Sequence, residues 1–108
     1  RSLLEDLLAR FPLDSDVRQT SGLIFLRLRQ LPKAITEFLG CLELDPTNTT
    51  AHYNLACAYA LSGDKDAAFN SLNNAFKNGY DRVDHVRNDL DLESLRSDPR
   101  FEELLKKI

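Results

Sequence analysis

The chain has 108 residues, of which 29% are charged and 43% hydrophobic, and its formal net charge is -3. This length accommodates one small domain, and no apolar run approaches the length that would cross a membrane. Because the chain is acidic and its basic residues are scattered, the composition argues against a nucleic-acid-binding surface and fits an ordinary soluble protein.

The first predicted element is a helix over residues 1–11 with a single apolar stripe. Charged and polar side chains occupy its other side, so the helix buries one face only. Pro12 is expected to end it, because the residue before a proline is pushed out of helical conformation. The stripe consists of Leu3, Leu4, Leu7, Leu8 and Phe11.

Two longer helices are predicted next. The helix over residues 17–28 is apolar on more than one side, so it must contact neighbours on at least two sides. The following helix begins near Pro32, which suits a first helical turn because its missing N–H is not needed there, and continues to Leu44. Asp45 and Pro46 end it, and the next three residues supply turn and capping groups.

A helical hairpin is predicted over residues 49–82. Apolar residues recur at helical spacing on both sides of the turn formed by Ser62, Gly63 and Asp64. Gly79 is expected to end the second helix in left-handed conformation. Beyond it, the sequence has only short helical signals as far as Ser97, Asp98 and Pro99. There a capping residue followed by proline indicates the start of a last helix. The apolar face of that helix consists of Phe101, Leu104, Leu105 and Ile108.

An internal repeat becomes visible when the chain is shifted against itself by 34 residues. Small residues then fall on small ones and large residues on large ones. The small residues let two helices approach closely, and the large ones fill the space between successive hairpins. The aligned pairs are Gly22 with Ala56, Phe25 with Tyr59, Ala34 with Ala68, and Phe38 with Leu72.

This pattern resembles the tetratricopeptide repeat (TPR) family, whose motif runs Trp-x2-Leu-Gly-x2-Tyr, then Ala-x3-Phe, then Pro. The matching residues are Gly22, Phe25, Ala34, Phe38 and Pro46 in one repeat and Leu55, Ala56, Tyr59, Ala68 and Leu72 in the other. The chain departs from the motif where Arg18 and His52 replace Trp and where Tyr80 replaces the closing proline.

The resemblance implies an all-α fold of antiparallel helix hairpins stacked as a short TPR-type solenoid. We expect one domain with repeats over residues 15–48 and 49–82, preceded by residues 1–14, which resemble the second helix of an upstream repeat. A C-terminal cap over residues 83–108 closes the stack. The absence of methionine indicates a piece of a longer protein.

The cysteine usage and the absence of catalytic motifs in the sequence favour a binding protein over an enzyme. Cys41 and Cys57 are too few for a disulfide framework and lack zinc-site spacing, which suggests packing roles in a reducing, cytoplasmic location. His52 and His85 lie in different segments, and no nucleophile motif or phosphate loop is present. We therefore expect no catalysis, no metal and no cofactor.

In a TPR stack the first helix of each hairpin lines the concave surface, so the resemblance nominates partner-binding residues on two helices. Their mixture of apolar and amide groups suits a protein or peptide partner, bound as an extended peptide or a helix. For Leu23, as for Leu26, the alternative to partner binding is packing against the N-terminal helix. The nominated residues are Gln19, Thr20, Leu23, Arg27, Tyr53, Asn54, Cys57 and Leu61.

Two functions remain open: an adaptor that holds a protein or peptide in its groove, and a structural or regulatory terminal domain of a larger enzyme. Acidic residues concentrate late in the chain, where they are either a solvated face with helix caps or a contact for a basic partner. Binding of acidic chaperone C-termini is not expected. Asn54 matches the central asparagine of the family's carboxylate clamp, but Thr20, Asp84 and Asn88 stand where further Asn, Lys and Arg are needed.

Overall fold

The computed structural model describes residues 3–10 and 14–107, and in this part of the chain all regular structure is helical. This confirms the predicted fold class. The elements are α1 (Leu3–Arg10), α2 (Ser15–Arg27), α3 (Leu31–Leu44), α4 (Thr49–Ser62), α5 (Lys65–Lys77), α6 (Val83–Asn88), a 3₁₀ helix (Leu90–Leu95) and α7 (Pro99–Leu105). Among these helices, none combines the length and the apolarity that crossing a membrane requires.

The helices pack as antiparallel neighbours in chain order. Helix α2 packs against α3, and α4 packs against α5. Contact between α3 and α4 joins the two hairpins into an elongated body of 43 × 24 × 21 Å. The predicted boundaries before residues 15, 49 and 83 fall directly before α2, α4 and α6. The division into repeats at these points stays a prediction.

Side-chain caps fix where four of the α-helices begin. The carboxylate of Asp14 accepts from the backbone N–H groups of Asp16 and Val17, so α2 begins two residues earlier than the apolar pattern indicated. Asn48, Asp64 and Asp98 cap α4, α5 and α7 in the same way. Phe11 and Pro12, predicted to complete and end the first helix, lie outside the described residues, as does Ile108.

Three turns place a residue in the left-handed region. Gly63 (φ 87°) and Gly79 (φ 106°) adopt it without steric cost, and the prediction for Gly79 is confirmed. Arg29 (φ 59°) occupies the turn that corresponds to Gly63 in the next hairpin. Its guanidinium donates to the carbonyl oxygen of Leu26 at 3.2 Å and to Asp91 Oδ1 at 3.1 Å, so its side chain has contacts there that glycine would lack.

Close helix approach explains the small residues of the repeat. Ala34, Ala56 and Ala68 are completely buried between helices. Gly22 lies directly against the ring of Phe38, where an added Cβ would come within 2.6 Å of Cδ1. The first hairpin therefore pairs glycine with the large ring of Phe38. At the equivalent positions, the second hairpin pairs Ala56 with the smaller side chain of Leu72.

The C-terminal segment contains more structure than its sequence predicted. Helix α6 and the 3₁₀ helix precede α7, because Val86, Leu92 and Leu95 are completely buried and hold these six-residue elements in place. The 3₁₀ helix packs against α4 and α7 packs against α5. The predicted apolar face of α7 is buried where it is described, at Phe101, Leu104 and Leu105. The segment therefore covers one side of the second hairpin.

Candidate functional site

The predicted binding residues on α2 differ in exposure. Thr20 and Arg27 are exposed, whereas Gln19 and Leu23 are half-buried. Leu26 lies in the hydrophobic core and Leu23 packs against that core. In the described part of the chain, the Arg27 guanidinium makes no hydrogen bond or ion pair. Helix α2 thus presents a hydroxyl and an unpaired cation to solvent.

Tyr53 and Cys57 on α4 contact the C-terminal segment of the chain itself. Tyr53 is only 5% exposed, and its hydroxyl donates to Asp89 Oδ2 at 2.5 Å. The Cys57 sulfur lies 3.9 Å from the same carboxylate oxygen. Part of the α4 face predicted to meet a partner is therefore covered from within. Contact of these two side chains with a partner stays a prediction.

Burial sets the protonation of these two groups. Removal from water, reinforced by nearby acidic groups such as Asp89, raises the pKa of the Tyr53 hydroxyl and of the Cys57 thiol above their ordinary values. Both groups are therefore protonated at neutral pH. Tyr53 acts as a hydrogen-bond donor to Asp89, and the Cys57 thiol is a poor nucleophile.

Cys57, Asp89 and Asp91 bring potential metal-ligand atoms within 4.8 Å of one another. Each of the two carboxylates already has a partner in the chain. Asp89 accepts from the Tyr53 hydroxyl, and Asp91 pairs with the Arg29 guanidinium at 3.1 Å. A cation would compete with that guanidinium and would require a thiolate in place of the protonated thiol. The hydrogen bonds and the ion pair account for the cluster.

A cleft of about 330 Å³ lies where the start of α4 faces the turn between α5 and α6. We call it the aromatic cleft. The rings of Tyr53 and Tyr80 stack in it at 4.7 Å with an interplanar angle of 10°, and the His85 ring lies 5.4 Å from Tyr53. Its lining residues are Thr49, Thr50, Tyr53, Asn54, Gly79, Tyr80, Asp81, Arg82 and His85.

Asn54 is the predicted site residue that this cleft leaves available. It is half-buried, and in the described part of the chain its side-chain amide makes no hydrogen bond. Leu61, at the other end of α4, packs against the core instead. The structure thus places Tyr53 and Asn54 together in one cleft, apart from Thr20 and Arg27 on α2.

Sequence reasoning missed Tyr80 and His85 as members of this site. The signal was present at Tyr80, an aromatic residue directly after the helix-ending Gly79 and in place of the family's proline. No comparable signal marked His85. Its position beside Tyr53 depends on how α6 packs, which periodicity alone does not give.

The larger cavity between α5 and α7, about 510 Å³, contains no predicted site residue. Arg100 lines it and lies over the Phe69 ring, with its guanidinium carbon 4.4 Å from the ring centroid. The same guanidinium pairs with Asp66 at 2.7 Å and with Asp98 at 2.9 Å. Arg100 therefore fastens α7 to α5.

Comparison with known proteins tests the predicted family. Residues 37–70 match the sequence model described as "Tetratricopeptide repeat". The chain carries a tetratricopeptide repeat. The matched stretch runs from α3 through α4 into α5, so it contains the close approaches at Ala56 and Ala68. The predicted TPR family is confirmed for this matched stretch.

One curated relative is a protein of Arabidopsis thaliana whose name describes it as chloroplastic. It is 34% identical to this TPR chain over 96 residues, which cover 86% of the chain and 28% of the relative. The chain therefore spans little more than a quarter of that protein's length. No solved structure matches the chain.

Proposed function

We propose that this TPR chain is a protein-binding module, without catalytic activity, that holds a peptide or helix of a partner in the aromatic cleft. The family supports a protein partner, because stacked helical repeats offer extended surfaces for such contacts. The cleft supports the location, because it combines stacked rings with polar groups at its rim.

The observation that carries this proposal is the unpaired amide of Asn54. A primary amide can donate to one peptide carbonyl and accept from one peptide N–H, which suits the backbone of an extended peptide. The half-buried ring of Tyr80, which stacks on the buried ring of Tyr53, offers an apolar wall beside it. The exposed guanidinium of Arg82 adds a charged donor at the rim.

The proposal is tested by affinity capture from extract, followed by measurement of affinity for each captured protein. Asn54→Ala should weaken binding about thirtyfold, since it removes two hydrogen bonds worth about 1 kcal/mol each. Asn74→Ala is the matched control, because Asn74 is an exposed asparagine on α5 outside the cleft. Equal binding by wild type and both variants would exclude the aromatic cleft as the binding site.

The alternative function is a structural or regulatory terminal domain of a larger enzyme. The burial of Tyr53 and Cys57 against the chain's own C-terminal segment favours it, since this part of the groove faces inward. The greater length of the Arabidopsis relative is compatible with a multidomain parent. Unchanged partner binding by the Asn54→Ala variant would support this alternative.

For localisation, we propose a reducing compartment, with the cytoplasm as the predicted one. The support is that Cys41 and Cys57 are both free and buried. The relative's name places that protein in the chloroplast. Imaging of the full-length parent protein with a fluorescent tag distinguishes the two locations.

A further inference from the structure

Within residues 3–10 and 14–107, no other part of the chain covers an apolar surface between α1 and α2. It surrounds a cavity of about 200 Å³, and we call it the upstream face; its lining residues include Leu4, Leu7, Val17, Thr20 and Ile24. Leu7 and Ile24 are 37% and 41% exposed, and no residue of α1 is buried. Large aliphatic side chains exposed around one cavity indicate a surface for another apolar element.

The internal repeat shows what covers the equivalent surface one step along the chain. A shift of 34 residues places α1 on the second half of α3 and α2 on α4. Leu7 then corresponds to Cys41 and Ile24 to Ala58, and both of these residues are completely buried. The difference arises because α2 packs against both α3 and α4, whereas no described helix takes that place on α1 and α2.

We infer that a helix preceding α1 in the same polypeptide covers the upstream face, packing on α1 and α2 as α2 packs on α3 and α4. This helix completes a hairpin with α1 and presents an apolar stripe to Leu7 and Ile24. The periodicity places it about 34 residues before α2. The inference is independent of the proposed function, because the aromatic cleft lies at the start of α4.

One consequence concerns the predicted binding residues. Thr20 lines the same cavity as Leu7 and Ile24, so the preceding helix would cover Thr20 as well. Arg27 does not line the cavity and stays available on α2. The groove open to a partner would then begin beyond Thr20.

The test measures thiol alkylation in the full-length polypeptide carrying Leu7→Cys or Ile24→Cys. Leu39→Cys is the matched control, since Leu39 is a leucine of similar exposure, 44%, on α3 outside the upstream face. The native Cys41 and Cys57 contribute little background because both are buried. We expect the thiols at positions 7 and 24 to react at least ten times more slowly than the thiol at position 39.

Other outcomes would overturn the inference. Equal rates at the three positions mean that nothing covers the upstream face. Protection that falls on dilution means that a second copy covers it, and protection that needs added extract means that a separate partner does. Hydrogen exchange of α1 in the unsubstituted full-length polypeptide gives an independent reading, because a covered α1 exchanges slowly and an uncovered one does not.

Discussion

The contact between Gly22 and Phe38 permits a direct test of the helix packing. An added Cβ at Gly22 would lie 2.6 Å from Phe38 Cδ1, and Phe38 is completely buried, so its ring cannot move without disturbing the core. Gly40, also inside a helix, provides the control. There a Cβ would meet only Arg18 Cδ at 3.5 Å, an ordinary contact with a flexible side chain.

The two substitutions separate packing from helix propensity. Alanine gains about 1 kcal/mol over glycine inside a helix, and this gain applies to both positions. Overpacking costs about 1–3 kcal/mol and applies to Gly22→Ala only. Gly40→Ala should therefore raise the free energy of unfolding by about 1 kcal/mol, and Gly22→Ala should fall about 1–3 kcal/mol below it.

The assay is urea unfolding followed by circular dichroism, with thermal unfolding in parallel. Each 1 kcal/mol corresponds to about 4–8 °C in Tm for a domain near this size. If Gly22→Ala is as stable as Gly40→Ala, α2 does not approach Phe38 as described. The double variant Gly22→Ala with Phe38→Leu recreates the pair found at Ala56 and Leu72. Its free energy of unfolding should exceed the value expected from adding the effects of the two single substitutions by at least about 0.5 kcal/mol.

Three further predictions follow from buried groups and from charge. Since burial raises the pKa of Tyr53 and Cys57 above their ordinary 10.0 and 9.0, the unfolded chain loses protons that the folded chain keeps. The contribution of these two groups to the free energy of unfolding should therefore be constant below about pH 8, and the free energy should fall as the pH rises through about 9 to 11. Tyr53→Phe should reduce that fall, and a flat profile between about pH 8 and 11 in urea titrations contradicts this. Ala68→Leu should lower stability by about 1–3 kcal/mol, whereas Asn73→Leu, exposed on the same helix, should change it little. A peptide with an acidic C-terminus should show no strong binding by calorimetry, and micromolar binding lost in Asn54→Ala would reverse that expectation.

The hairpin helices were predictable because each is 13 or 14 residues long. Several turns of apolar spacing identify such helices, and the matched small residues at Gly22 and Ala56 relate one hairpin to the next. The start of α2 was missed by two residues, since the capping bonds of Asp14 extend the helix beyond its apolar pattern.

The C-terminal segment was less predictable for a physical reason. Helix α6 and the 3₁₀ helix have six residues each, too few for a clear period, and burial of Val86, Leu92 and Leu95 holds them in place. The same limit applies to the site. Tyr53 and Asn54 were correctly placed on one helix, but the contact between Tyr53 and Asp89 joins residues 36 positions apart. Such a contact depends on packing that local pattern does not specify.

The ion pair between Arg29 and Asp91 affects how the chain unfolds. A repeat array tends to lose its ends one hairpin at a time, because each unit contacts only its neighbours. This bond joins residues 62 positions apart, linking the turn after α2 to the 3₁₀ helix of the C-terminal segment. Although a partly exposed ion pair contributes at most about 1 kcal/mol, fraying of the C-terminal segment also removes a contact from the first hairpin. The first hairpin and the C-terminal segment are therefore energetically coupled, and unfolding should be more cooperative than neighbour contacts alone would make it.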